Sequence, residues 1–209
     1  MNVIYNVILK KNCAKFNQHY ILHNYNKMNR IVIGVSGKLG VGKDFISNII
    51  EQHLSINHKV IRLAFADLLK ILTMIEYDIS FDRVYVKKDE ESRQLLQNIG
   101  AEYRKKSLDF WIKGIDSQIN IFQHKGFDAF IITDVRYQNE ADYIKSIGKL
   151  IRIVAPIRNQ IKLEEESNNN PDIKNHLSET DLDNYEFDYI IKNDPDDVID
   201  IKKIVEKIL

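Results

Sequence analysis

A short, apolar, β-branched run, Ile31-Val32-Ile33-Gly34-Val35, ends in Gly37-Lys38-Leu39-Gly40-Val41-Gly42-Lys43, and the helix-like stretch DFISNIIEQHL follows at once. Strand, glycine-rich loop and helix in that order constrain this chain more than any other feature. The glycines let the backbone curl so that several N–H groups face one oxyanion. The helix start adds positive potential, and Lys43 can reach β- and γ-phosphates. Gly37, Lys38, Gly40, Val41, Gly42 and Lys43 are therefore expected to hold the phosphates of ATP. Asp44 stands where Ser or Thr usually offers a hydroxyl to Mg2+. Two readings stay open there: a hard oxygen ligand for the ion or its water shell, or a first-turn acid favoured by the helix dipole.

Strand and helix patterns alternate along the rest of the chain. Lys59–Ala66 reads as a second strand, after which Asp67 caps a helical pattern through Leu68, Leu69, Ile71, Leu72 and Ile75. Charge rises from Glu76 to Ser92, as in a surface excursion. Arg93–Lys106 and Leu108–His124 carry apolar residues at helical spacing, including Leu96, Ile99, Trp111, Ile115 and Ile119. Ala129–Thr133 is a third strand, Asn139–Ile147 a helix and Leu150–Ala155 a fourth strand. Arg158–Asp183, with its run EEESNNNPD, reads as a long loop or lid. Tyr189–Lys192 is a short fifth strand, and Val198, Ile201, Ile204, Val205 and Ile208 give a closing helix its stripe. The alternation implies an α/β fold in three layers around a central parallel five-stranded sheet, with ligands at the carboxyl ends of the strands.

Composition narrows the function classes. Thirty basic residues balance thirty acidic ones, so no global field draws the chain to nucleic acid or to an anionic membrane. The single cysteine, Cys13, cannot form an internal disulfide, and a reducing, cytoplasmic home is expected. No stretch approaches the roughly 20 apolar residues of a membrane span. Residues 1–28 read as an N-terminal extension, with Met28 as an alternative start, and residues 29–209 as one kinase-sized domain.

Asp134 follows the apolar run FIIT at the end of the third strand, where an acid can orient hydrated Mg2+. Arg136, two residues on, offers a guanidinium fork for phosphate.

Five segments in order, GKLGVGKD, LAFADLLK (63–70), RQLLQNIGAEYRK (93–105) with Trp111, TDVRYQNE (133–140) and NHLSETDL (175–182), resemble the P-loop deoxynucleoside monophosphate kinases of phages, bacteria and large DNA viruses. The resemblance covers about Ile31 to Asp194. It implies an adenylate-kinase-like core, a helical acceptor-binding insertion over 76–124, a lid over 156–183, ATP as donor with Mg2+, and a small-molecule acceptor. Carried over residue by residue, it implies acceptor contacts from Asp67, Lys70, Arg93, Gln97, Arg104, Trp111, Arg136, Glu140, His176 and Glu179. It further implies metal contacts from Asp44 and Asp134, and phosphoryl-transfer roles for Lys43, Asp134, Arg136 and the lid-entrance Arg158. Homodimers occur in such families, which leaves that partner open here.

Two other readings compete. Animal-type phosphomevalonate kinase shares a GKD loop and a small phosphorylated acceptor, although the H-L-S-E segment and the R-x-L-L-Q helix speak against it. A nucleotide-binding regulator without catalysis would fit Asp44 and a lid poor in arginine. A nucleic-acid-binding module lacks the basic helix it would need.

Overall fold

The computed structural model describes residues 30–87, 89–167, 177–197 and 201–208. The chain divides into two units, Met1–Ile31 and Val32–Leu209, and the site described below lies within the second. The expectation for residues 1–28 falls outside the described residues.

The strands are β1 (Ile31–Gly37), β2 (Val60–Leu63), β3 (Ala129–Val135), β4 (Lys149–Val154) and β5 (Tyr189–Lys192). They form a parallel sheet in the order β2-β3-β1-β4-β5. Ile33 and Gly37 of β1 lie opposite Lys149 and Ile153 of β4, and Leu63 of β2 lies opposite Ile132 of β3. Ile33, Val35 and the run Ala129–Ile132 are completely buried, as strands covered on both faces require. The neighbouring strands β1 and β3 both end at one edge of the sheet, so the glycine-rich loop and Asp134 arrive side by side.

Helices α1 (Lys43–Leu54), α2 (Phe65–Tyr77), α3 (Glu90–Lys106), α4 (Phe110–His124), α5 (Gln138–Ile147), α6 (Pro156–Ser167), α7 (Leu177–Thr180) and α8 (Ile201–Ile208) make up the outer layers. Each long core helix buries one stripe, Ile46, Ile50 and Leu54 in α1 and Trp111, Ile115 and Ile119 in α4. The α4 stripe joins Phe130, Ile132, Val32 and Leu150 of the sheet in one core.

Several sequence expectations need correction. The second strand stops at Leu63, and α2 begins at Phe65 with Ala64 as its N-cap. Asp67 is a first-turn acid there, not the cap. The capping carboxylate comes from far along the chain: Asp134 accepts the N–H groups of Phe65 at 2.8 Å and Ala66 at 2.9 Å. The excursion after Glu76 contains a π-helical turn, Asp82–Lys87, whose Val84 is buried. Helix α3 starts three residues before Arg93 because Asp89 caps it, accepting from the Ser92 N–H. The third strand runs on to Val135, so Asp134 sits inside it. The long loop expected from Arg158 opens instead as helix α6. Its start is fixed by Asp194, which accepts the N–H groups of Ile157 and Arg158. Val198 falls outside the described residues, while Val205 of the closing helix is buried.

Gly148, between α5 and β4, tests this packing. A Cβ there would lie 2.1 Å from the Val32 carbonyl oxygen of β1, a backbone atom that cannot turn aside. Gly148→Ala should lower unfolding stability by about 1–3 kcal/mol in urea titrations. An unchanged midpoint would contradict the close approach.

Candidate functional site

The glycine-rich loop owes its shape to its carbonyl groups. Lys43 Nζ donates to the Gly37 and Lys38 oxygens at 2.8 and 2.9 Å. Asn159 Nδ2 donates to the Leu39 oxygen at 2.6 Å, and Asn193 Nδ2 to the Val41 oxygen at 2.8 Å. Ile46 N–H takes the Gly42 oxygen at 3.1 Å. With these carbonyls engaged, N–H groups of the loop other than that of Leu39, which donates to Glu179, can turn to an anion. Two glycines make the curl feasible: Gly40 at φ 76° and Gly42 at φ 85° occupy the left-handed region. A Cβ at Gly42 would also meet Asn193 Nδ2 at 2.3 Å. Burial, followed by the charge of Arg136, pushes the Lys43 ammonium down to about 8, against the pull of Glu179, Asp44 and Asp134.

Beside the loop, the end of β3 supplies Asp134 and Arg136. Burial raises the Asp134 carboxyl above the usual range, outweighing the two backbone N–H groups that favour its charge. Arg136 Nη1 donates to Glu179 Oε1 at 2.5 Å. The other oxygen of Glu179 accepts the Leu39 N–H of the loop at 2.8 Å.

Two cavities open on this edge. One, of about 570 Å³, is lined by Gly40, Gly42, Lys43, Asp44, Thr133 and Asp134 among others. The other, of about 540 Å³, lies under Phe65, Leu69, Gln97, Arg104, Trp111, Tyr137 and Glu140. Ala66, Lys70, Arg93, Leu96, Asp134 and Arg136 line both cavities. Three cations and one acid thus stand where the two spaces meet.

The residues expected to contact an acceptor divide into groups. Arg93, Gln97, Arg104, Trp111, Lys70 and Arg136 all line the second cavity. Trp111 is a core residue: it is 3% exposed, and its Nε1 donates to the Gly100 oxygen at 3.3 Å. Asp67 accepts from Tyr85 and pairs with Lys70 at 3.5 Å, and neither cavity wall includes it. Glu140 is 2% exposed and spends its oxygens on protein groups. It accepts from the Arg136 N–H at 3.0 Å, the Tyr137 N–H at 3.3 Å and Arg104 Nη2 at 3.3 Å. The Arg104 guanidinium lies 3.7 Å over the Tyr137 ring. Arg158 is exposed, on the helix whose Arg158 carbonyl and Lys162 side chain crowd Gly40. His176 lies outside the described residues.

The family model described as phosphomevalonate kinase matches residues 35–150. The chain belongs to the phosphomevalonate kinase family. The matched span includes the R-x-L-L-Q helix and ends before the H-L-S-E segment. A curated relative from Acanthamoeba polyphaga mimivirus, "Putative deoxynucleotide monophosphate kinase", is 28% identical over 150 residues, 60% of this chain and 75% of that protein. Among solved structures, TT1252 from Thermus thermophilus is 12% identical, covering 86% of this chain and 96% of its own, with a TM-score of 0.48. The Mycobacterium tuberculosis APS kinase is 10% identical over 86% and 95%, with a TM-score of 0.43. At these scores the structural likeness adds nothing to the fold, which rests on strand order and loop. The chain is a kinase, of the kind that acts on a nucleotide or other small molecule.

In this kinase, sequence reasoning missed Asn159, Asn193 and Asp194, polar residues whose local context looks like ordinary loop. Their partners lie in the loop or at the start of α6. No group of three metal-ligating side chains occurs among the described residues, and none of their helices is long and apolar enough to cross a membrane. A Mg2+ ion carried mainly by nucleotide phosphates needs only one or two protein carboxylates. Asp44 and Asp134 on one cavity wall fit that need.

Burial pushes the Glu140 carboxyl up to about 7, more than the Arg136 N–H and Arg104 pull it down. The folded state then holds a proton that the unfolded chain, with a carboxyl near 4.5, releases. Stability from this group is fully present below about 4.5 and is lost as pH rises to about 7. Glu140→Gln should flatten the fall in melting temperature between pH 5 and pH 8. A parallel fall in both proteins would contradict the shift.

Proposed function

We propose that this kinase transfers the γ-phosphoryl group of ATP to a deoxynucleoside 5'-monophosphate, giving a diphosphate and ADP. The observation that supports it most is the meeting of the two cavities at Lys70, Arg93, Asp134 and Arg136. One space ends in a phosphate loop. The other combines apolar walls from Phe65, Leu69, Leu96 and Trp111 with a neutral amide, Gln97, and a phenol, Tyr137. A flat base can lie against such walls and meet the amide by hydrogen bonds, while its 5'-phosphate turns toward the arginines.

In this reading an acceptor phosphate oxygen forms a bond to the γ-phosphorus. The bond from γ-phosphorus to the bridging oxygen breaks, and its electron pair leaves with ADP. The attacking oxygen is already an anion at neutral pH, so no general base is needed. The chain's work is to align two anions and offset their repulsion. Loop N–H groups and Lys43 hold the donor, and Arg93 and Arg136 bring the acceptor phosphate into line. Mg2+, held with the nucleotide by Asp44 and Asp134, would supply further charge at the β- and γ-phosphates.

The family match favours a second reading, phosphomevalonate as acceptor. That molecule carries a second anion, a carboxylate, which needs its own cation inside the cavity. Among the described residues, Arg104 is the one cation of that cavity's wall that does not also line the first cavity, and it is already held by a bond to Glu140 and by the Tyr137 ring.

An ADP-release assay with ATP and Mg2+ separates the readings. Deoxynucleoside monophosphates, ribonucleotides and phosphomevalonate are offered in turn. Turnover is expected with deoxynucleotides, and Lys43→Ala should lower it by about three orders of magnitude while the fold survives. Turnover of phosphomevalonate alone would overturn the proposal in favour of the second reading.

A further inference from the structure

Glu179 has a bonding pattern that a substrate contact does not explain. Its side chain is 8% exposed, and each carboxylate oxygen has a charged or backbone donor on the protein. One takes the Leu39 N–H of the phosphate loop and the other takes Arg136 Nη1. These donors belong to different elements, the loop after β1 and the end of β3.

The segment carrying Glu179 is itself fastened to the same edge. Asp181 accepts the Gln138 N–H at 2.8 Å at the start of α5, and Asp183 pairs with Lys38 of the loop at 2.9 Å. Asp183 also lies 3.5 Å from Arg152 of β4. In the next peptide group along the chain, the Leu39 carbonyl is held by Asn159. Leu39 is therefore held through the peptide groups on both sides of its Cα, and Arg136 is tied to the first of them through one carboxylate.

We propose that Glu179 is a positioning residue: it fixes the Arg136 guanidinium relative to the phosphate loop, so that donor and acceptor phosphates are aligned by one rigid unit. An exposed arginine loses much side-chain freedom when it must orient a fork toward an anion. Pairing with a carboxylate that is already locked to the loop removes that freedom before substrate arrives. The remaining guanidinium N–H groups stay available to the shared wall of the cavities. The inference rests on the kinase reading but not on which acceptor is used.

The role predicts coupling between two positions. Glu179→Gln keeps an oxygen that can accept the Leu39 N–H but loses the charge that holds Arg136. Its kcat should fall about tenfold, with the KM for ATP changed less than about twofold. Arg136→Lys should cost more. In the Arg136→Lys background, Glu179→Gln should cost less than about twofold, because the group it positions is gone.

The four proteins of this cycle are compared as full chains, by turnover of the acceptor and by the slow transfer from ATP to water, which needs no acceptor. Melting temperatures are measured alongside. Losses that multiply in the double variant, or a Glu179→Gln enzyme with normal kcat, would overturn the proposal. So would a kcat loss that merely follows unfolding at the assay temperature. Failure of the acceptor reading looks different: the wild type would turn over none of the deoxynucleotides while the water reaction still showed the coupling.

Discussion

The site depends on which way the peptide groups of residues 37–42 point. A loop of this length could satisfy its carbonyls internally and turn its N–H groups to solvent. Here Lys43, Asn159, Asn193 and the first turn of α1 take the carbonyls instead. Each bond is worth only about 0.5–1.5 kcal/mol net. Together they select one loop conformation, with left-handed Gly40 and Gly42 as the residues that tolerate it.

The arginines beside the loop are organised by the same means. Glu140 holds Arg104 by its side chain and Arg136 by its backbone, and Glu179 holds the Arg136 side chain. Asp134 stiffens the wall they share by capping α2. Neighbouring cations repel one another, and the Glu179 carboxylate beside Arg136 lowers that cost. The positive charge at the junction of the cavities is thus built in before any substrate binds.

Much of this was legible in the sequence where the signal is local. The β-branched run, the glycines and Lys43 specify strand, loop and helix within a few residues, and the order of all five strands' segments followed from periodicity. What escaped is long-range. Asn159 lies 120 residues from Leu39, and Asn193 lies 152 from Val41, so neither can be linked to the loop from its own neighbourhood. Helix α6 was read as loop because its residues are polar; its start is set by Asp194, 36 residues beyond Arg158. Glu140 and Trp111 were expected as acceptor contacts, but both are buried and bond protein groups. One carboxylate became a brace and one indole became core.

In the proposed reaction, phosphate passes between the two cavities across the wall they share. A crystal structure with adenosine and deoxythymidine joined by five phosphates tests it most directly, since such a molecule spans donor and acceptor at once. The phosphates should run from the loop and Lys43 to Arg136 and Arg93, with the thymine under Leu69, Leu96 and Gln97. Phosphates lying away from Arg136, or a thymidine outside the cavity lined by Trp111, would contradict it.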